Sequence, residues 1–171
     1  EMLRSLVGSE MCIRDRIMPA QVKNPRKKFL WSIEFPSHPI NAYLFQNVTL
    51  PEITIEEVEH GDVNRSVKTG GRVSVGTMTA QKLETTSGSD TWFWDWLFSV
   101  QDMINGGGLT PSQYWQTVIV KELAEDGVSV LNKWVLTEVW PTRVNGQELD
   151  RMSSDNSIEE IEFSVGTCDK L

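Results

Sequence analysis

The side chains with the best claim to chemistry gather around one histidine. Glu57, Glu59, His60 and Asp62 lie in a single short stretch and carry donor types that a divalent metal accepts. Their spacing spreads them along an extended segment and its turn, so they do not converge on one point. A charged turn in solvent is the plainer reading. A second acidic group, Glu159, Glu160 and Glu162, supplies carboxylates of the kind used in general acid–base work. It sits on a β-prone run in which Glu160 and Glu162 share a face, so an acidic outer face accounts for it. Asp150 and Asp155 have no base near them in sequence. His38 and His60 are the only histidines, which argues against a multi-histidine metal site. No glycine-rich phosphate loop leads into a helix, and neither Gly-x-Ser-x-Gly nor His-Glu-x-x-His occurs. No catalytic residue, no metal ligand and no cofactor is expected, and the chain does not read as an enzyme.

The two cysteines, Cys12 and Cys168, lie near opposite ends without metal-ligand spacing. A disulfide between them is one reading and free thiols are the simpler one. At 171 residues the chain suits one domain with a substantial core. Charged residues make up 23% and hydrophobic residues 39%, a balance that folds rather than staying disordered. No apolar run approaches the roughly 20 residues of a membrane-spanning helix. The formal net charge of -8 disfavours a grip on nucleic-acid phosphates, which needs clustered Lys and Arg.

The elements that would position these side chains are mostly strands. Phe29 to Phe35 alternates, with Phe29, Trp31, Ile33 and Phe35 on one face, and Pro36 and Pro39 end it. Tyr43 to Leu50 is a second run, stopped at Pro51, and Ile53 to Val58 a third. His60 to Gly71 reads as a polar, Gly-bearing excursion, after which Arg72 to Leu83 resumes as one strand. Ser112 to Leu123 and Ser129 to Val139 read as a hairpin around Asp126-Gly127, with Pro141 stopping the second arm. Ile158 to Val165 is the closing strand. The one clear helix runs from Asp90 to Ile104, where Trp92, Phe93, Trp96, Leu97, Val100, Met103 and Ile104 recur at helical spacing. Ser89 or Asp90 is its expected cap, and Asn105 to Gly108 its stop. Trp92 and Trp96 are expected to pack on a sheet, and Trp94 to lie towards the other face, where it suits a protein contact. Strands in runs with one helix predict a mainly β fold, an antiparallel sandwich or barrel of about seven strands with one flanking α-helix.

Residues 1–16 fit this pattern poorly. The string from Ser5 to Arg16 resembles a translated sequencing adapter and is set aside as a non-native segment, leaving 17–171 as a single β domain. Lys23, Arg26, Lys27 and Lys28 form either a basic arm for an anionic partner or, more simply, a solvated lead-in. Cys168 to Leu171 read as a short end after the last strand.

Taken in order, the body resembles the tail tube family of contractile-tailed phages, over roughly residues 29 to 167. Phe29–Phe35 resembles the opening strand and Phe45–Pro51 the segment before the first long hairpin. Glu56–Asn64 resembles the ascending arm of that hairpin and Gly70-Gly71-Arg72 its return. Trp94-Asp95-Trp96 falls where the family places its helix, and Trp134–Val144 with Ile158–Val165 resemble the terminal strands. The resemblance implies hexameric rings that stack into a tube. Glu56, Glu57, Glu59, His60, Asp62, Asn64, Arg65, Lys68 and Arg72 would then bridge rings, and Trp94, Trp140 and Arg143 are possible subunit contacts. Sheath, baseplate or terminator and tape-measure proteins are the implied partners, and DNA the cargo, passed without specific binding. The implied place is the virion tail, assembled in the host cytoplasm, with no membrane involved. A tube of a contractile injection or type VI secretion machine fits the same pattern. A monomeric β-sandwich that grips a ligand through Trp92, Trp94 or Trp115 is the alternative from another class.

Overall fold

The computed structural model describes residues 26–61, 64–85, 91–145 and 151–171. The segment read as non-native, Ser89, Asp90, Asp62 and Asp150 lie outside the described residues. Nine strands are present among those described: β1 (Trp31–Glu34), β2 (Phe45–Thr49), β3 (Ile53–Gly61), β4 (Ser66–Val75), β5 (Met78–Leu83), β6 (Gln116–Leu123), β7 (Val130–Val144), β8 (Ile158–Ser164) and β9 (Thr167–Lys170). Helix α1 (Trp92–Val100) and the single turn α2 (Pro111–Tyr114) separate β5 from β6.

Seven strands make one sheet in the order β1-β6-β7-β8-β5-β2, with β9 beside β7. All its pairings are antiparallel. β7 organises it. Its first part pairs with β6 on one side and β9 on the other, and Trp140 to Val144 pair with β8. The change of partner falls next to Glu138, whose φ of 56 is left-handed. A bend at that point lets one strand serve both halves of the sheet. The mainly β architecture with few helices is the one expected.

Alternation along the strands builds the core. On β5, Met78 and Ala80 face inward, and on β8, Ile161 and Phe163. β6 and β7 add Val118, Val120, Leu136 and Val139, and β1 adds Ile33. α1 covers this layer through Phe93 and Trp96, both buried, while Trp92 packs at its margin. Phe93 lies edge-on to Phe163 at 6.0 Å and to Phe35 at 5.6 Å. The Trp96 indole N–H donates to the Tyr114 carbonyl at 2.8 Å and ties α1 to α2. Trp92 and Trp96 thus pack as expected.

Five boundaries depart from the expectation, each for a local reason. α1 ends at Val100 rather than Ile104, because Asp102 accepts hydrogen bonds from the Ile104 and Asn105 amides and winds a separate turn. Those bonds hold the Asp102 carboxyl below the ordinary carboxylate range. Arg72–Leu83 is two strands, parted at Gly76, whose amide donates to the Glu52 carbonyl at 2.7 Å and closes the base of the β3–β4 hairpin. Ser112–Tyr114 belong to a helical turn. Pro111 sits in its first turn, and the Gln113 side chain accepts from the Thr110 amide at 3.0 Å. Pro141 does not stop β7. It is buried inside the strand, at a register shift that accommodates its missing N–H. Thr167–Lys170 form a strand on β7, and the Cys168 thiol there is free and only partly exposed.

Candidate assembly interface

Strands β3 and β4 form a two-stranded sheet of their own. Their pairing runs from Ile53 opposite Val75 to Gly61 opposite Ser66, with a register shift between Ile55 and Glu57. At about 3.4 Å per residue, nine residues of β3 reach roughly 30 Å. The excursion read as a polar loop from His60 to Gly71 is therefore mostly regular strand. Gly71 lies opposite Glu56, at that register shift. A Cβ there would come 2.8 Å from Val58 Cγ2 and 3.0 Å from the Glu56 carbonyl.

Cross-strand partners share a face. Ile53, Ile55, Val73 and Val75 make an apolar patch at the base, and Ile55 and Val73 remain 64% and 62% exposed. Further out, Glu57 and Glu59 share the face of Lys68, whose ammonium lies 2.5 Å and 3.4 Å from them. His60 pairs with Val67 on the opposite face, so it and those two carboxylates do not converge as metal ligands. Glu56, Asn64, Arg65 and Arg72 are exposed on the same hairpin.

The three residues considered for subunit contact lie on the body. Trp94 is half-buried on α1, packed against the core margin and 5.9 Å from the Phe98 ring. Trp140 is half-buried on β7 and meets Tyr114 edge-on at 5.9 Å. Arg143 is exposed on the same strand and reaches Asn145 Oδ1 at 3.5 Å.

Beneath α1 lies a buried ion pair. Lys82 and Glu159 are opposite each other across β5 and β8, on the inward rows that carry Ala80 and Ile161. Lys82 Nζ lies 3.6 Å from the Glu159 carboxylate and 5.3 Å from the centre of the Phe93 ring. Burial pushes the Glu159 carboxyl up, while Lys82 and a hydrogen bond from Trp94 pull it down. Both residues are almost fully buried, 3% and 2% exposed.

Residues 27–167 match the family model described as T4-like virus tail tube protein gp19. The chain belongs to this tail tube family. The tail tube protein gp19 of Enterobacteria phage T4 is 28% identical over 136 residues, 72% of this chain and 81% of the relative. The same protein of Enterobacteria phage T6 is 27% identical over the same shares. Among solved structures, the tube terminating cap of the anti-feeding prophage superposes with a TM-score of 0.72 at 14% identity, covering 88% of this chain and 93% of that one. A chain of the sheath–tube complex of the PVC extracellular contractile injection system, in the extended state, gives 0.70 at 18% identity with the same coverage. These two show a shared fold.

The tail tube family is a structural one, which accords with the expectation from motifs alone. Glu159, read from the sequence as part of an acidic outer face, instead points inward, because it pairs with Lys82 across β5 and β8. The signal for that pair was present in the sequence, since Glu159, Ile161 and Phe163 alternate on one face of β8 and only Glu159 breaks the apolar row.

Proposed function

We propose that this chain is the repeating structural subunit of a phage tail tube, assembling into hexameric rings that stack around a channel for genome delivery. One observation carries the reading. A two-stranded hairpin with solvent on both faces is marginal by itself, and an uncovered apolar patch on it asks for a partner. Contact with the next ring, through Glu56, Glu57, Glu59, His60, Asn64, Arg65, Lys68 and Arg72 and the apolar base, supplies one. Asp62 belongs to the same stretch of sequence. Trp94, Trp140 and Arg143 are proposed to meet neighbouring subunits.

The net charge of -8 supports a wall along which DNA slides, since like charges prevent sticking. Sheath, baseplate, terminator and tape-measure proteins are the proposed partners. The virion tail, built in the host cytoplasm, is the proposed place. The chain carries out no reaction in this reading. A tube of a contractile injection machine is the second reading, favoured by the fold shared with the prophage cap and the PVC tube complex. The tail tube relatives weigh towards a phage.

Negative-stain electron microscopy of the purified protein tests the proposal. Six-fold rings or hollow tubes are expected. A monomer of about 19.4 kDa that persists at high concentration would overturn it.

A further inference from the structure

We propose that the groove between the two outer strands of the sheet, β1 and β2, is the receptor into which the β3–β4 hairpin of a second copy docks. This rests on reading the hairpin as an assembly element and adds the surface that receives it. The groove has a volume of about 550 Å³. Trp31 stands on the β1 side, Val48 and Leu50 on the β2 side, and Val120 of β6 below. Trp31, Val48 and Leu50 are half-buried, apolar surface left between two elements that do not pair. Each of the two strands pairs with one neighbour among the described strands, so each offers backbone donors and acceptors along its other side.

Charge identifies the occupant. Arg26, Lys27 and Lys28 line one part of the groove, and Arg26 is held by Glu122 at 2.6 Å, which leaves the two lysines as the basic rim. On the face of β3 that carries the exposed Ile53 and Ile55, Glu57 and Glu59 follow, and β3 has no Lys or Arg. An apolar pair followed by acids therefore meets an apolar groove edged by lysines. Lys68 already contacts Glu57 and Glu59, but exposed pairs of this kind hold by about 0–1 kcal/mol, so exchanging partners costs little. The hairpin does not occupy the groove of its own chain. It pairs only with itself and follows β2 after three residues, Leu50-Pro51-Glu52. A hairpin-to-groove contact uses different surfaces on the two copies, so each copy can give its hairpin to one neighbour and its groove to another, as a stack requires.

The test uses the full chain with Cys12→Ser and Cys168→Ser. One preparation carries Ile55→Cys and another Val48→Cys, and the two are mixed and oxidised. A cross-linked dimer that forms in the mixture beyond either preparation alone is expected. In parallel, Lys27→Glu with Lys28→Glu, and separately Glu57→Lys with Glu59→Lys, are expected to lower the assembled fraction at least tenfold. All four changes on one chain should restore it, and circular dichroism should show every variant folded. Tubes that form without the cross-link and ignore charge reversal in the groove would overturn the groove while leaving the tube. Tubes that also ignore reversal in the hairpin would remove the hairpin's role. Wild-type protein that never assembles would remove both readings.

Discussion

Lys82 and Glu159 occupy the one rung of the β5–β8 ladder where the inward row is ionic, 3.6 Å apart and closed from water by Phe93 and Trp94. Removing one partner strands the other charge in the core, so Lys82→Met and Glu159→Leu should each destabilise the fold by about 3–5 kcal/mol. The double variant should be neutral or more stable than wild type by about 1–4 kcal/mol. Urea unfolding of the four proteins measures this. Additive losses in the double variant would mean that the two charges do not depend on each other.

The same carboxylate gives a pH dependence whose sign runs against habit. Burial raises the folded pKa of Glu159 above the ordinary glutamate value of 4.5. Its titration therefore contributes stability that is fully present below that value and is lost as pH rises through the folded pKa. Glu159→Gln keeps the shape and removes the titration. The stability of wild type relative to Glu159→Gln should grow as pH is lowered from neutral towards 4.5. Unfolding curves at several pH values that show the opposite trend would assign a lowered pKa instead.

Gly70 and Gly71 are neighbours with different tolerances. A Cβ on Gly70 would lie 3.6 Å from Ile55 Cγ2, an ordinary contact, whereas one on Gly71 would press on Val58 at 2.8 Å and on the Glu56 carbonyl at 3.0 Å. Val58 is β-branched and cannot swing away easily. Gly71→Ala should distort the hairpin and reduce assembly by an order of magnitude or more, with the melting temperature of the body little changed. Gly70→Ala should assemble normally. Microscopy and thermal melts of both variants check this, and equal behaviour would refute it.

Glu138 holds a backbone conformation that costs an L-residue about 1–2 kcal/mol. Glycine relieves that strain and gives part of it back as unfolded-chain entropy. Glu138→Gly is therefore expected to stabilise by about 1 kcal/mol or less, Glu138→Asn to be near neutral, and Glu138→Val to destabilise by more than 1 kcal/mol. Calorimetry gives the order of melting temperatures. A Val variant as stable as wild type would mean that the bend is not held at this residue.

The sequence made the strands of the body legible wherever one face is buried, because burial imposes a two-residue period, as in Trp31 to Phe35 and Ile158 to Val165. The hairpin was hard to read from periodicity, since neither of its faces is buried within the chain. Ser66 to Gly71 consequently read as part of a polar excursion, and only the family resemblance identified Gly70-Gly71-Arg72 as the return of a hairpin. Pro141 misled for a different reason. Proline usually ends a strand, and the register shift that admits it depends on the partner strand β8. The groove between β1 and β2 was not legible at all, because Trp31 and Val48 are brought together by the rolling of the sheet rather than by any local pattern.

Because β7 runs unbroken through both halves of the sheet, the two halves are joined by covalent bonds as well as by packing. A load that tried to pull them apart would stretch a peptide backbone along its length before it peeled one layer from the other. Such a subunit behaves as a stiff brick, and under axial force its weakest joints lie between copies. A structure built from it would part at its seams with its bricks intact, ready to be laid again.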